Sequence, residues 1–180
     1  MIALDTSALA LRLVPDAPIF KAGTNAPVRH AKERMEALVD SASKRGEPLL
    51  IPTPVIAELL ARLPGKAGNV LQVLQRSRWF RIAAFDLAAA VELGERTAKA
   101  IAAGDKRDGI DAPWAKVKFD RQIIAIAITN GASELISNDA ALAKTGESRG
   151  IRIVGVDDLP VPESLIPPPL LASLEDDGAE

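Results

Sequence analysis

Short apolar runs alternate with longer segments of helical periodicity, and this alternation constrains the fold more than any other feature. Strands that alternate with helices favour a parallel sheet with helices on both faces. The sequence therefore predicts an α/β fold with a central, mainly parallel sheet. The runs that are typical of short buried strands are IALD (2–5), PLLIP (48–52), RWFRIAAF (78–85), ELIS (134–137) and IRIVGV (151–156).

Helical signals occupy most of the chain between these runs. In TPVIAELLARLPG, Thr53 suits the N-cap, Pro54 suits the first helical position, and Pro64-Gly65 ends the segment. Asp86 is expected to cap a helix that runs to about 103. Further helices are predicted over 6–14, 28–46, 66–77, from 120 and from 138, and loops over 15–27 and 104–118.

Composition sets the size of the fold and the compartment. The chain has 180 residues, of which 48% are hydrophobic, enough for one domain with a sizeable core. We expect a domain over 1–158, followed by a proline-rich and then acidic extension over 159–180. The N-terminus lacks the pattern of a signal peptide, and no apolar run of about 18 residues suggests a membrane span, so we expect the cytoplasm.

Missing residue types exclude several kinds of chemistry. The chain has no cysteine, so disulfides, thiolate zinc sites and cysteine nucleophiles are excluded. It has a single histidine, His30, which excludes a pair of histidines acting as acid and base within one chain. Phosphate-binding and dinucleotide-binding glycine patterns are absent. The net charge of −2 argues against a generally basic nucleic-acid binder. Carboxylates are the reactive groups that remain in quantity.

One carboxylate lies where an apolar residue is expected. In FDRQIIAIAITNG (119–131), the residues Ile123, Ile124, Ala127 and Ile128 form the apolar arc of a helix, and Asp120 falls near its middle. A negative charge in the first turn would be favoured by the helix dipole. A buried carboxylate without a partner costs several kcal/mol, or takes up a proton. A bound cation removes that cost.

Three further carboxylates are candidates for the same site, although each also has a structural explanation. Asp5 and Asp139 follow predicted strands and open helices, so both lie where sites form in parallel sheets, but N-capping alone would explain them. Glu58 lies at the edge of an apolar helix face, where an ion pair with Arg62 at i+4 would explain it. A site of carboxylates without His or Cys selects hard metals, Mg²⁺ or Mn²⁺.

These segments, in this order, resemble the PIN-domain family and, within it, the VapC-like toxins of type II toxin–antitoxin pairs. The resemblance rests on IALDTSAL, IPTPVIAELL, FDRQIIAIAITNGASELISNDAAL and the closing IRIVGV with VDDLP. It implies a three-layer α/β/α sandwich and a Mg²⁺- or Mn²⁺-dependent ribonuclease. The family's acidic quartet falls on Asp5, Glu58, Asp120 and Asp139, with Asp5, Asp120 and Asp139 as metal ligands and Glu58 ligating or orienting the attacking water. It also implies a small antitoxin partner and a homodimer.

Other polar residues are expected to support this site. Thr6 or Ser7 would hydrogen-bond Asp5, and Asn138 would do likewise for Asp139. Basic residues are candidates for contacts with RNA phosphates, although a solvated surface explains each one singly. Trp114 either stacks on a base or pins its loop to the core. We assign no catalytic role to His30. The candidate phosphate contacts are Arg12, Lys116, Lys118 and Arg121, with Lys106 and Arg107 in the same region.

Two alternative functions remain open. A phosphohydrolase with Asp5 as covalent nucleophile usually needs a second acid two residues later, and here that position is Ser7. A non-catalytic RNA- or protein-binding module would use the carboxylates only as helix caps and ion pairs. That module would bind RNA whether or not a chelator is present.

Overall fold

The protein is built on a five-stranded parallel sheet. A computed structural model describes residues 1–14, 17–147 and 149–165. The strands are β1 (Ile2–Leu4), β2 (Leu49–Pro52), β3 (Phe80–Ala83), β4 (Glu134–Ile136) and β5 (Arg152–Val154). They pair in parallel in the order β3-β2-β1-β4-β5. The five strands predicted from the sequence are therefore all present.

Helices flank this sheet and confirm the predicted α/β/α class. They connect the strands, as parallel pairing requires. Helix-to-helix contacts join α1 with α2 and α3, and join α6 with α3, α5 and α7. The helices are α1 (Thr6–Leu13), α2 (Ala31–Lys44), α3 (Thr53–Arg62), α4 (Ala67–Arg76), α5 (Leu87–Ala102), α6 (Trp114–Thr129) and α7 (Ala140–Glu147).

Strand position explains the burial of the apolar runs. Every residue of the inner strand β2 is buried, because helices cover both of its faces. The edge strand β3 instead exposes Arg81 and Ile82. The main core also includes Ile123, Ile124 and Ala127 of α6, as the apolar arc predicted. A smaller cluster of Ile110, Ala112 and Val117 lies apart from it.

The strand order places a topological switch point between β1 and β4. The chain moves outward from β1 through β2 to β3, and then returns to the other side of β1 to form β4. Leu4 of β1 pairs with Ile136 of β4, so both strands end at the same level. Ligands of open parallel sheets bind beyond the carboxyl ends of strands at such a point. The residues that follow β1 and β4 are therefore the first candidates for a site.

Two helix starts differ from the sequence prediction. The helix predicted over 28–46 begins only at Ala31, because Val28 donates its N–H to the carbonyl of Ile19 and so belongs to the preceding loop. In α3, Pro52 is the N-cap and Thr53 is already helical, so the N-cap prediction for Thr53 was wrong. Pro54 is tolerated there because the N–H groups of the first turn have no helical partners.

The loop predicted over 104–118 is shorter than expected. Helix α6 begins at Trp114, directly after the N-cap residue Pro113. Val117 is buried in the smaller apolar cluster, which gives this extra turn its own packing. Asp120 therefore lies in the second turn of α6, beyond the first-turn position at which the helix dipole alone would favour a carboxylate.

The beginning of the predicted extension contacts the domain. Leu159 is buried, and a short 3₁₀ helix follows at Glu163–Leu165. The remainder of that extension lies outside the described residues, and the domain boundary at 158 stays a prediction. In the described part of the chain, no helix has the length and apolarity needed to cross a bilayer.

Candidate active site

All four predicted acids line one cleft at the switch point. Asp5 directly follows β1 and Asp139 follows β4, while Glu58 comes from α3 and Asp120 from the neighbouring α6. The cleft has a volume of about 790 Å³, and its other walls include Lys116 and residues 18–21 and 23–25. We call it the acidic cleft. The sequence-based grouping of the four acids thus corresponds to one place in the fold.

Asp5 is buried and held in one orientation by three donors. Its Oδ1 accepts the N–H of Ala8 at 2.8 Å, which caps α1, and the hydroxyl of Ser7 at 2.8 Å. Its Oδ2 accepts the hydroxyl of Ser137. Burial raises the pKa of Asp5 and the charge of Asp139 adds to this, although the three donors oppose the rise. Asp5 is therefore both a helix cap and a fixed carboxylate at the cleft.

Asp120 is buried in the second turn of α6. Its residue is 4% exposed, and burial raises its pKa to about 6 even though Lys116 opposes this rise. The charges of Asp139 and Glu58 raise the pKa further. Asp120 therefore lies close enough to Glu58 on α3 and to Asp139 after β4 for the three carboxylates to repel one another. Ionised Asp120 requires a nearby cation.

In this structure the cation beside Asp120 is Lys116, one helical turn earlier. Its Nζ lies 3.1 Å from Oδ2 of Asp120 and 2.7 Å from Oδ2 of Asp139. Burial alone would lower the pKa of Lys116, but the bond to Asp139 and the charge of Asp120 outweigh it and raise the pKa. The sequence predicted Lys116 as a phosphate contact, whereas its ammonium bridges two of the acids.

Asp139 is stabilised as a carboxylate. Burial acts to raise its pKa, but hydrogen bonds from Lys116 and from the N–H groups of Leu142 and Ala141 lower it overall. The two N–H groups lie at 3.1 and 2.8 Å from Oδ1, so Asp139 also caps α7. The capping explanation derived from the sequence is therefore correct for Asp139. Its other oxygen, Oδ2, accepts a hydrogen bond from Lys116, which lines the cleft.

Glu58 has the ion pair that the sequence suggested and a second partner that it did not. Its Oε1 pairs with Arg62 on the next turn of α3. Its Oε2 accepts the hydroxyl of Thr6 at 2.5 Å. Thr6 was expected to support Asp5, but it supports Glu58, and Ser7 alone of these two residues bonds to Asp5. The start of α1 therefore orients two acids at once.

The prediction that Asn138 supports Asp139 by hydrogen bonding was wrong. The amide of Asn138 bonds to the carbonyl of Phe20 at 3.0 Å and to Asp157, and its Oδ1 accepts the N–H of Val156. Ser137 supports the site instead, because its hydroxyl donates to Asp5 and accepts the N–H of Asp139 at 3.0 Å. A pairing of β1 with β4 would have shown that Ser137 lies beside Asp5.

The remaining basic candidates divide into exposed and buried groups. Arg12 and Lys118 are exposed, as a phosphate contact requires. Arg121 is fully buried, and its guanidinium reaches the Thr97 hydroxyl at 3.4 Å, while Nε and Nη2 have no hydrogen-bond partner among the described residues. Its predicted contact with RNA phosphates was therefore wrong for this structure. Trp114 contacts the smaller apolar cluster, which favours the loop-pinning interpretation.

The donor set of the cleft suits a hard divalent ion, but its acids are not drawn together around one. Among the described residues, no three His, Cys, Asp or Glu side chains stand as a group that could hold a metal ion. Lys116 gives a physical reason, since its ammonium is already hydrogen-bonded to both Asp120 and Asp139. A metal ion would have to displace that ammonium from both carboxylates.

Comparisons with solved structures show which fold this is. A chain of VapBC2 from Rickettsia felis, bound to a promoter DNA fragment, matches with a TM-score of 0.53 and 18% identity, over 86% of this chain and 98% of that chain. A chain of DNA-bound VapBC from Salmonella typhimurium matches with a TM-score of 0.52 and 18% identity, over 86% and 97%. The fold of this chain is PIN-like. The resemblance seen in the sequence is thereby confirmed at the level of the fold.

Sequence comparisons add nothing to this result. No family model and no curated protein matches the chain. The roles of Asp5, Glu58, Asp120 and Asp139 therefore rest on the residues of this chain and on the geometry of the acidic cleft.

Proposed function

We propose that the protein is a divalent-metal-dependent ribonuclease that hydrolyses RNA phosphodiesters, and that it acts as the toxin of a toxin–antitoxin pair. The observation that carries this proposal is the buried carboxylate of Asp120, which faces a cleft shared with Asp5, Glu58 and Asp139. A fold has no structural need for a carboxylate with a raised pKa at that place. A site that binds a cation and a phosphate does have such a need.

The residues present fit Mg²⁺ or Mn²⁺ by their chemistry. Asp5, Asp120 and Asp139 would hold the ion through hard carboxylate oxygens. When bound, such an ion supplies charge stabilisation at a phosphate oxygen and an activated water. Lys116 would then be released from the two acids to which it is bonded. Its ammonium would remain in the cleft, where it can contact a phosphate.

The chain's own residues would orient the reaction. Three donors fix Asp5, so its carboxylate is oriented before substrate arrives. Glu58 is held by Thr6 and Arg62, and from this position it would accept a hydrogen bond from the attacking water. The water would attack phosphorus in line with the leaving oxygen. We expect the phosphate contacts to come from Lys116, Lys118 and Arg12.

Protein partners follow from the same proposal. The two structures with this fold carry names of VapBC proteins and contain DNA. For this chain we infer a small antitoxin protein that covers the acidic cleft and suppresses cleavage in the cytoplasm. A homodimer remains a further expectation of the resemblance.

The test is cleavage of a mixed RNA pool with Mg²⁺, with Mn²⁺ and with excess chelator. Wild type is compared with Asp5→Asn, Asp120→Asn and a matched control, Asp86→Asn. Asp86 caps α5 by accepting the N–H of Ala89 at 3.0 Å, as Asp5 caps α1, but it lies outside the acidic cleft. We expect metal-dependent cleavage by wild type and Asp86→Asn only. Cleavage by folded Asp120→Asn at the wild-type rate would contradict the proposal.

One set of contacts favours a second candidate, the non-catalytic binding module. Asp5 and Asp139 are helix caps, Glu58 pairs with Arg62, and Lys116 neutralises Asp120. Each acid thus has a partner without any metal ion. Under this candidate, RNA binding is unchanged by chelator and no preparation cleaves RNA.

A further inference from the structure

Part of the lining of the acidic cleft comes from a small hairpin, residues 17–27, with an exposed aromatic ring. We propose that Phe20 of this hairpin binds an unpaired base of the RNA substrate by stacking, and that Asn138 positions it. This inference rests on the proposed function and names a substrate subsite for it. It implies that the enzyme acts on single-stranded RNA, since a base in a duplex cannot offer its face to a side chain.

The hairpin has a defined conformation. Phe20 and Pro27 form an antiparallel bridge, and Lys21 donates its N–H to the carbonyl of Ala26 at 2.9 Å. The turn between them is closed by the N–H and the hydroxyl of Thr24, which both reach the carbonyl of Lys21 at 3.0 and 3.1 Å. Gly23 supplies the positive φ of 69° that the turn requires. The ring of Phe20 therefore projects from a fixed backbone.

Alternation along this short strand directs Phe20 away from the core. Its neighbour Ile19 is buried, and so is Val28, whose N–H donates to the carbonyl of Ile19 at 3.0 Å. Successive side chains of an extended segment point to opposite sides. Phe20 is accordingly 47% exposed and lies on the lining of the acidic cleft. A single exposed apolar residue needs no explanation by itself, so the position beside the acids carries the inference.

Asn138 joins this wall to the acids. Its Nδ2 donates to the carbonyl of Phe20 at 3.0 Å, and its backbone leads directly into Asp139. The same side chain is fixed from behind by Asp157 at 3.1 Å and by the N–H of Val156 at 2.7 Å. One side chain thus sets the spacing between the aromatic ring and the carboxylate edge. We regard Asn138 as a positioning residue, because it would act on substrate only through Phe20.

A nucleobase suits this wall better than other parts of a substrate. The rest of the lining carries four carboxylates and the Lys116 ammonium, and it suits a phosphate best when a cation offsets the charge of the acids. Phe20 offers an uncharged π-face, on which every base can stack. Lys21 and Asn25 line the same cleft beside the ring and can contact the backbone of the bound strand. A base on Phe20 would hold the adjacent phosphate toward the acids.

The first experiment measures cleavage kinetics of a single-stranded RNA by wild type, Phe20→Ala, Phe20→Trp and a control, Phe85→Ala. Phe85 is a suitable control because it is also partly exposed, at 37%, but follows the edge strand β3 away from the cleft. We expect Phe20→Ala to raise KM at least about 5-fold, from a stacking free energy of about 1–3 kcal/mol. Phe20→Trp should keep a low KM, and Phe85→Ala should match wild type. An unchanged KM in folded Phe20→Ala overturns the inference.

The second experiment separates this inference from the proposed function. It measures the binding of a fluorescent single-stranded oligonucleotide in excess chelator, where no cleavage occurs. Weaker binding by Phe20→Ala supports the stacking site even if wild type proves unable to cleave RNA. Equal binding by wild type and Phe20→Ala overturns the stacking site even if wild type is an active ribonuclease.

A double-variant cycle tests the role of Asn138. We expect Asn138→Ala to raise KM in the wild-type background and to have no further effect on KM in the Phe20→Ala background, because it acts through Phe20. Effects of the two substitutions on KM that multiply independently would contradict the positioning role. Urea unfolding of each variant shows whether a loss of stability is the cause.

Discussion

The substitution Asp120→Asn should change how the stability of the metal-free protein depends on pH. Burial raises the pKa of Asp120 from 3.8 to about 6 in the folded protein. Each unit of such a shift corresponds to about 1.36 kcal/mol, so ionised Asp120 costs the folded state about 3 kcal/mol. The cost is absent below the unfolded pKa, where the carboxyl is protonated in both states. It becomes complete about one pH unit above the folded pKa, near pH 7.

The expected result is therefore a free energy of unfolding that falls by about 2 kcal/mol more in wild type than in Asp120→Asn as pH rises from 4 to 7, which is most of the full cost. Urea unfolding in excess chelator at each pH measures this difference. Asp139→Asn supplies the comparison of opposite sign, because the folded-state pKa of Asp139 is lowered. Its carboxylate contributes stability above the unfolded pKa, and this contribution is lost as pH falls through the folded pKa. A difference between wild type and Asp120→Asn that stays constant from pH 4 to 8 would show that burial does not raise the pKa of Asp120.

Three further substitutions test contacts of the cleft and its surroundings. Lys116→Met should lower the free energy of unfolding of the metal-free protein by about 1–2 kcal/mol, because Asp120 loses its ion-pair partner at a part-exposed site. The same substitution should tighten Mn²⁺ binding in calorimetry, because the ammonium no longer competes with the metal ion. Weaker binding would contradict that competition. Ser137→Ala should lower the free energy of urea unfolding by about 1–2 kcal/mol, because buried Asp5 loses a donor, and an unchanged value would show that this hydrogen bond contributes nothing. Arg121→Met should remain within about 1 kcal/mol of wild type in thermal unfolding, since two nitrogens of the buried guanidinium have no hydrogen-bond partner in the described part of the chain. A loss of several kcal/mol would show that these nitrogens are hydrogen-bonded in solution.

The fold could be predicted from the sequence because its signals are local. Each strand is a short apolar run, and Asp86 caps its helix as an N-cap preference predicts. The errors of prediction lie at helix boundaries, where a contact with a distant part of the chain determines whether a residue is helical. Val28 belongs to the loop because it bonds to Ile19, and the first turn of α6 is helical because Val117 packs on Ile110 and Ala112.

The candidate site could be predicted only as far as the identity of its acids. An acid on an apolar arc and acids after two strands are visible in a one-dimensional pattern, so Asp5 and Asp120 could be found. Their partners could not, because each partner comes from another element. Ser137 reaches Asp5 through the pairing of β4 with β1, and Thr6 reaches Glu58 across two helices. The same limit applies to Arg121, whose burial follows from tertiary packing.

The role of Lys116 shows how spacing alone can mislead. It lies four residues before Asp120, where an i,i+4 ion pair is expected on any helix. Its second partner, Asp139, is brought close only by the fold. That bridge converts a candidate phosphate contact into an internal cation. Because this ammonium competes with a metal ion for the same carboxylates, the presence of the acids alone does not establish the proposed function. Metal binding has to be measured.

Whether the acidic cleft binds a divalent ion is best measured by direct titration with Mn²⁺. Isothermal titration calorimetry would compare wild type, Asp120→Asn and the control Asp86→Asn, each shown to be folded. We expect wild type and Asp86→Asn to bind Mn²⁺ and Asp120→Asn to lose this binding. Absence of binding to wild type, or equal binding by Asp120→Asn, would contradict the claim that the acids of the cleft hold a divalent ion.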